Sequence, residues 1–431
     1  MSDGPPPEGN PFGEIPFLGE FMRLFQSQAG GADTARHLAR TIATEGTSEP
    51  NIDPADRIAM EELTRVAELQ VGAITGLPVA RGGALRVEIA NRTMWADRTI
   101  EDYRPLFESL AESLTPSPPL SDDATDGDPM AQMMAGLSQM LGPLMVGMTT
   151  GSLVGNLARS ALGGYTLPVP RPPDGPVLVL LPNIDRFGTE WSLDRDDLRL
   201  WVCLHEVAHH TVLGVPHVHQ RLDGLLRRHA ASFDRDAKGI GEALGDIDLG
   251  AGPDALAELQ SMLGDPDALL GAVRSPAQEA LQPELTALVA TVTGYVDHVM
   301  DEAGAGLIGT YPMLTEALRR RRIEADASDR FVEKILGLEL DRAQYERGSA
   351  FVEGVVERAG DEGLAQLFSD PALECSCGGP CQPGQVGQLD VDASDRFGAT
   401  ILPCRKGEAV GVFRGSPLRI QLYVSHRKAS T

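Results

Sequence analysis

The sequence predicts a mainly α fold with a small β-sheet. Long stretches of the chain carry apolar residues at helical spacing, whereas short β-like runs occur near Leu85–Ile89 and at Val177–Leu181. The stretch between Trp191 and Pro216, the best-defined helix, contains the pattern H-E-x-x-H. We therefore expect this helix to pack beside a short sheet edge and beside a second helix that can supply a ligand.

The helices follow from apolar periodicity and from capping residues. Ser192 is the expected cap of the H-E-x-x-H helix, and Gly214 and Pro216 are expected to end it. The run Val177–Leu181 fits a buried strand or an edge strand; we expect it to lie over this helix as an edge strand, where an extended peptide could add as a further strand. The other predicted helices are Phe21–Gln28, Asp53–Gly76, Trp95–Leu114 and Pro283–Ala303.

Composition divides the chain into five segments. Residues 1–20 are rich in Pro and Gly and are predicted to be disordered, and residues 21–115 form an N-terminal helical region. An acidic, Pro-rich linker is predicted at 116–128, before a domain at 129–370 that holds the H-E-x-x-H helix. Residues 371–431 form an atypical tail with four cysteines, Cys375, Cys377, Cys381 and Cys404, whose spacing is weak evidence for metal binding.

Charge and cysteine content restrict the partners and the compartment. The chain of 431 residues has a formal net charge of −25, which disfavours binding to nucleic acid or to anionic lipid. Odd, clustered cysteines and the absence of a visible signal sequence predict a cytoplasmic protein. The uncharged stretch 129–158 is long enough to cross a membrane, but its many polar residues and Pro143 favour buried helices, so no membrane span is expected.

The H-E-x-x-H pattern carries the chemistry. Helical spacing places His205 and His209 one turn apart on the same face, so that both imidazoles can bind one Zn²⁺ ion. Glu206 lies about 100° round the helix, where it can take a proton from metal-activated water as the general base. These three residues indicate hydrolysis of a peptide or amide bond.

Two histidines do not complete a zinc site, and the sequence leaves the third ligand open. His217 or His219 could supply it after the turn at Gly214, although the spacing differs from H-x-x-G-x-x-H. Asp297, at the edge of the apolar stripe of the helix Pro283–Ala303, could be a ligand or could orient a histidine.

The chain resembles a bacterial zincin-like metallopeptidase family, one branch of which is associated with genes for the biosynthesis of a deazaflavin coenzyme. The resemblance runs from about Asn10 to Pro371 and implies a mostly helical zincin-like domain and a hydrolase of unknown substrate. The motifs that carry it are Asn10–Gly13, Trp95–Thr99, Leu204–His210, Pro216–Val218, Gly294–Asp297, Arg319–Arg322, Gly337–Leu340 and Gln344-Tyr345.

The chain departs from the family at one position of the second helix. There the family carries E-G-x-x-D, in which a Glu ligand precedes an Asp by one turn; here Thr293 stands at the Glu position and Asp297 is retained. Glu206 favours a working hydrolase, whereas Thr293 favours a zincin-like protein that has lost catalysis and serves in binding or assembly.

Overall fold

The computed structural model describes residues 31–80, 83–114, 146–233, 275–323 and 327–369, with strand residues 399–403, 409–413 and 419–420. This part of the chain is mostly helical with a small parallel sheet, which confirms the predicted fold class. The helix predicted at Phe21–Gln28, the linker at 116–128 and the tail cysteines lie outside the described residues.

Helices and strands are numbered here in chain order. The helices are α1 (Gly31–Thr44), α2 (Pro54–Thr75), α3 (Arg92–Asp102), α4 (Arg104–Leu114), α5 (146–160), α6 (Leu181–Glu190), α7 (Arg195–Leu213), α8 (Pro216–Ala231), α9 (Pro276–Leu307), α10 (Tyr311–Ile323), α11 (Ala327–Leu336) and α12 (Arg342–Ser369). The strands are β1 (Val87–Ala90), β2 (Val177–Leu180), β3 (Ala399–Pro403), β4 (Ala409–Phe413) and β5 (Arg419–Ile420).

The small parallel sheet joins the two sequence regions on either side of the predicted linker. β1 runs parallel to β2, with Val87 opposite Val177 and Ala90 opposite Leu180. Every residue of β2 is buried, as expected for a strand covered on both faces. Farther along the chain, β3, β4 and β5 form a separate antiparallel sheet in that order.

β2 is not the open edge strand that the sequence suggested. Gly163 forms an antiparallel bridge with Val179 on the side of β2 that faces away from β1. Leu180 N–H donates to the Leu162 carbonyl at 2.8 Å, and Gly164 N–H donates to the Leu178 carbonyl at 3.0 Å. Residues 162–164 therefore occupy the position expected for an added peptide.

The H-E-x-x-H helix α7 lies in the centre of the hydrophobic core, between α2, α9 and β2. Apolar side chains on several of its faces explain this position, because a helix that is apolar nearly all round is stable only when surrounded by other elements. The Asp194 carboxylate caps α7 by accepting from the backbone N–H groups of Asp196 and Asp197, and Gly214 ends the helix.

Two helix predictions need correction. Asp194, not Ser192, caps α7, because Ser192 belongs to the preceding turn and has a positive φ of 53°. The predicted helix Trp95–Leu114 is two helices, α3 and α4, which meet at Tyr103. Pro105 explains the break, since it has no backbone N–H to continue the hydrogen-bond ladder of α3.

Residues 146–158 of the uncharged stretch 129–158 belong to α5, which packs closely on α1. An ideal Cβ at Gly151 would lie 2.7 Å from the Ala35 carbonyl oxygen, and one at Gly155 would lie 2.7 Å from Ile42 Cβ. Small residues in α5 thus allow close approach to α1. No helix in the described residues is long and apolar enough to cross a membrane.

α9 is held at its start and near its middle. Ser275 and Gln278 form a capping box at its start, and Pro276 takes the first helical position. Farther along, α9 crosses α12 at a contact between glycines. A Cβ at Gly348 would lie 2.1 Å from the Ala290 carbonyl oxygen, and one at Gly294 would lie 2.6 Å from Gly348 backbone atoms.

This contact predicts that Gly348→Ala destabilises the protein by about 1–3 kcal/mol, because the added methyl group forces the two backbones apart. Gly306→Ala is the matched control on α9, since a Cβ there meets nothing within 4 Å. It is expected to raise stability by up to about 1 kcal/mol. Urea unfolding of both variants checks this, and equal effects would contradict the packing argument.

Candidate metal centre

Three aromatic residues follow one another along a single face of α7. The rings of Trp201 and His205 are stacked, with centroids 4.9 Å apart, and the His205 and His209 rings are 4.3 Å apart. Two imidazoles that bind one zinc ion through bonds of about 2.0–2.1 Å must lie side by side in this way. His205 is the only partly exposed residue between Trp201 and Leu213, so the pair is reached from solvent at this ring.

A hydrogen bond assigns the ring nitrogens of His209, and the contact with Glu206 bears on those of His205. His209 Nδ1 lies 3.0 Å from the His205 carbonyl oxygen, which can only accept, so Nδ1 carries the hydrogen. His205 Nδ1 lies 3.3 Å from Glu206 Oε1, which favours the same tautomer when Glu206 is ionised. In that tautomer Nε2 carries the lone pair of each ring, as a zinc ligand requires.

Glu206 is a buried carboxylic acid beside the two histidines. Its residue is 1% exposed, and burial raises its pKa to about 7, while the Tyr165 N–H and the charge of Arg171 oppose that rise. The Tyr165 N–H donates to Glu206 Oε2 at 2.8 Å. A carboxyl group whose pKa lies near neutrality is suited to exchange a proton.

Gly163 makes room for this carboxyl group. An ideal Cβ at Gly163 would lie 2.3 Å from Glu206 Cδ and 2.6 Å from Glu206 Oε1, so that any side chain there would displace the carboxyl group. The Glu206 carboxyl group therefore lies directly against the backbone of residues 163–165, here called the carboxyl cradle.

Side chains from two other segments hold the carboxyl cradle. Trp95 Nε1 donates to the Gly163 carbonyl at 2.8 Å, and Arg171 Nε donates to the Gly164 carbonyl at 2.9 Å. The Arg171 guanidinium is itself fixed by Asp102 Oδ2 at 2.7 Å and by Thr99 Oγ1 at 2.9 Å. Trp95 and Thr99, one helical turn apart on α3, thus both support the backbone that receives Glu206.

Tyr165 adds a second link between the carboxyl cradle and α7. Its ring stacks on His209 with centroids 5.9 Å apart, and its hydroxyl is hydrogen-bonded to His210 Nδ1 at 3.0 Å. Burial raises the pKa of Tyr165, so that the phenol remains protonated. Sequence reasoning missed Gly163, Tyr165 and Arg171, since no local pattern marks them.

The structure brings together His205, Glu206 and His209 but does not complete a set of ligands. Thr293 is buried on α9, which packs on α7, and Asp297 is partly buried one turn later. His217 lies in the first turn of α8. Within the described ranges, no group of three or more His, Cys, Asp or Glu side chains is placed to hold a metal ion. The histidine pair fits a metal, whereas the described part of the chain assembles no third ligand with it.

Comparison with known proteins decides the family. A model of a zincin-like metallopeptidase family matches residues 32–373, which is most of the chain. The chain belongs to this family. The assignment supports a hydrolase and implies a metal ion, and the matched range contains α7 and the carboxyl cradle.

A solved structure resembles the chain more distantly. It is that of a candidate hydrolase with a novel fold from Chloroflexus aurantiacus, 21% identical, with a TM-score of 0.48, covering 79% of this chain and 92% of that one. A likeness at this level carries no argument about function. No curated protein matches the chain.

The carboxyl cradle predicts a specific coupling between Gly163 and Glu206. Gly163→Ala is expected to destabilise the protein by about 1–3 kcal/mol, because the new methyl group collides with the Glu206 carboxyl group. In a Glu206→Ala background the same substitution should cost much less, since the colliding atoms are gone. Urea unfolding of wild type, both single variants and the double variant gives the coupling energy.

Gly224→Ala serves as the control, because a Cβ at Gly224 meets nothing within 4 Å. It should have the same small effect with and without Glu206. Additive effects of Gly163→Ala and Glu206→Ala would contradict the proposed close contact.

Proposed function

We propose that the chain is a zinc-dependent hydrolase that cleaves peptide or amide bonds. The observation that supports this most directly is the arrangement of Glu206. Its carboxyl group is buried, has a pKa raised to about 7, and lies beside His205 and His209, of which His209 has Nδ1 hydrogen-bonded to a carbonyl oxygen and Nε2 left for a metal. Burial of a carboxylic acid costs free energy, since it opposes the charged form. A role in proton transfer would explain why the chain carries this group here.

His205 and His209 are the proposed zinc ligands, and Asp297 is the proposed third ligand. Zinc, when bound, would supply a Lewis acid that polarises the scissile carbonyl and lowers the pKa of water. Asp297 is partly buried on α9, which packs on α7, so it stands on the neighbouring helix from which a third ligand could come.

Glu206 is the proposed general base. The Tyr165 N–H holds Oε2, while Oε1 lies on the side of His205. Glu206 takes a proton from the attacking water and later gives it to the leaving amine, as a single group near neutral pKa can do. The stacked rings of Tyr165 and His209 keep this side of the centre closed to additional water.

An extended peptide would not bind by adding to β2, since residues 162–164 already pair there. The Gly163 carbonyl and the Tyr165 N–H of the carboxyl cradle are also engaged, by Trp95 and by Glu206. We therefore expect the substrate to approach at the partly exposed ring of His205.

A second candidate function is binding or assembly without catalysis. Thr293 favours it, because a threonine hydroxyl is a poorer zinc ligand than the glutamate that the family pattern has at this position. The absence of a third grouped ligand in the described residues favours it as well. Glu206 opposes it, since a buried carboxyl group with a pKa near neutrality is suited to proton transfer as well as to packing.

Zinc binding separates these functions. Purified, chelator-treated protein should bind about one Zn²⁺ ion. His209→Ala should weaken zinc binding by more than about a hundredfold, because the loss of a ligand costs more affinity than the loss of a residue that only orients a ligand. Asp297→Ala should weaken binding if Asp297 is the third ligand, and Thr293→Glu should strengthen it. Competition with a coloured chelator measures each affinity.

The measurement uses protein in which Cys375, Cys377, Cys381 and Cys404 are replaced by Ser, so that tail thiols do not contribute. His298→Ala is the control on α9, because His298 pairs with Asp361 at 3.6 Å and has no proposed metal role. A wild-type protein that stays metal-free at excess zinc would exclude the hydrolase.

Hydrolysis provides an independent test of Glu206. Glu206→Gln should keep the zinc affinity while lowering the turnover of a cleaved peptide or amide by about 10²–10⁴-fold, the usual contribution of a general base. A peptide library analysed by mass spectrometry identifies the cleaved bond. Zinc-loaded wild type that cleaves nothing, or a Glu206→Gln variant of full activity, would contradict the proposed role.

A further inference from the structure

We propose that Trp201 is a positioning residue for the proposed ligand His205, whose ring plane it fixes by stacking. This inference rests on the proposed function, because it concerns the readiness of the histidine pair for a metal ion. Neither the H-E-x-x-H pattern nor the family assignment gives Trp201 a role.

The geometry of the stack supports this role. The ring planes of Trp201 and His205 are inclined by only 18°, with centroids 4.9 Å apart. The two residues are one helical turn apart, and helical side chains tilt toward the N-terminus, so the His205 ring is brought over Trp201. At the other end, the Tyr165 ring stacks on His209 with planes inclined by 14°. Both proposed ligands are thus held by an aromatic ring.

The indole N–H of Trp201 does not explain the presence of tryptophan. Trp201 is 8% exposed, and within the described residues its Nε1 atom is buried without a hydrogen-bond acceptor. Buried tryptophans normally satisfy this group, as Trp95 does with the Gly163 carbonyl. What Trp201 supplies at this position is therefore its flat face, against His205.

A fixed ring plane matters for metal binding. The contact of Nδ1 with Glu206 Oε1 at 3.3 Å restrains one edge of the His205 imidazole, and the stack on Trp201 restrains the plane of the ring, so that binding has fewer orientations from which to select the one in which Nε2 meets the metal. His205 needs this support in particular, since it is the partly exposed member of the pair. Partners that orient a metal-binding histidine typically contribute about 10–100-fold in affinity.

The test compares substitutions that separate the ring from the N–H. Trp201→Phe keeps a flat ring and removes the N–H, whereas Trp201→Leu and Trp201→Met keep apolar volume and remove the flat ring. We expect Trp201→Phe to bind zinc within about threefold of wild type and the other two to bind about tenfold more weakly. Two aliphatic variants are used so that one poorly folded variant does not decide the result.

Trp191→Leu is the matched control. Trp191 packs on Phe187, with centroids 5.6 Å apart, and is outside the aromatic face of α7. Its loss should lower thermal stability without changing zinc affinity. Tryptophan fluorescence adds a readout that does not depend on turnover: zinc should change the emission of wild type and of Trp191→Leu, but not of Trp201→Phe.

Each outcome decides the proposal. If wild type binds zinc and the aliphatic variants bind it equally well, the positioning role is wrong; if Trp201→Phe loses as much affinity as they do, the N–H and not the stack is responsible. If wild type binds no zinc, the proposed function fails. In that case NMR spectra of the metal-free protein test the stack by themselves, because stacking on Trp201 shifts the His205 ring protons upfield. Equal chemical shifts in wild type and Trp201→Leu would overturn the proposal.

Discussion

The structure depends on one contact, the burial of the Glu206 carboxyl group against the backbone of residues 163–165. A carboxyl group in the core needs hydrogen-bond donors, and it finds one in the Tyr165 N–H at 2.8 Å. It also needs space, which exists because position 163 is a glycine. Both conditions fix the distance between α7 and β2. The sheet, the helix and the candidate metal centre are therefore parts of a single packing arrangement.

Residues from the N-terminal half of the chain help to hold this contact in place. Arg171 and Asp102 form a buried ion pair at 2.7 Å, and the guanidinium also lies over the Tyr103 ring. Removing one member of such a pair leaves an uncompensated charge, at a cost of about 3–5 kcal/mol. The positive charge also restrains the rise of the Glu206 pKa that burial causes. Stability and acid–base chemistry thus depend on the same guanidinium.

Sequence reasoning recovered what is encoded locally and missed what depends on distant contacts. The fold class is confirmed, and the adjacency of His205 and His209 follows from helical spacing, which a helix fixes without help from elsewhere. Gly163 and Tyr165 could not be found, because their roles arise only when residues some forty positions apart meet. The strand β2 was mistaken for an edge because residues 162–164 show no alternating pattern, although they pair with it.

The backbone of α9 fixes the place of Thr293 and Asp297, where we propose the third ligand. Gly294, next to Thr293, touches the α12 backbone so closely that no Cβ fits, and the ring of Tyr295 stacks on Phe368 with centroids 4.4 Å apart. These contacts hold the helix beside α7 whatever side chain stands at 293. A glutamate at that position, as the resemblance implies for the family, would therefore offer other donor atoms without moving the helix. Thr293→Glu therefore tests the proposed ligand set without rebuilding the fold.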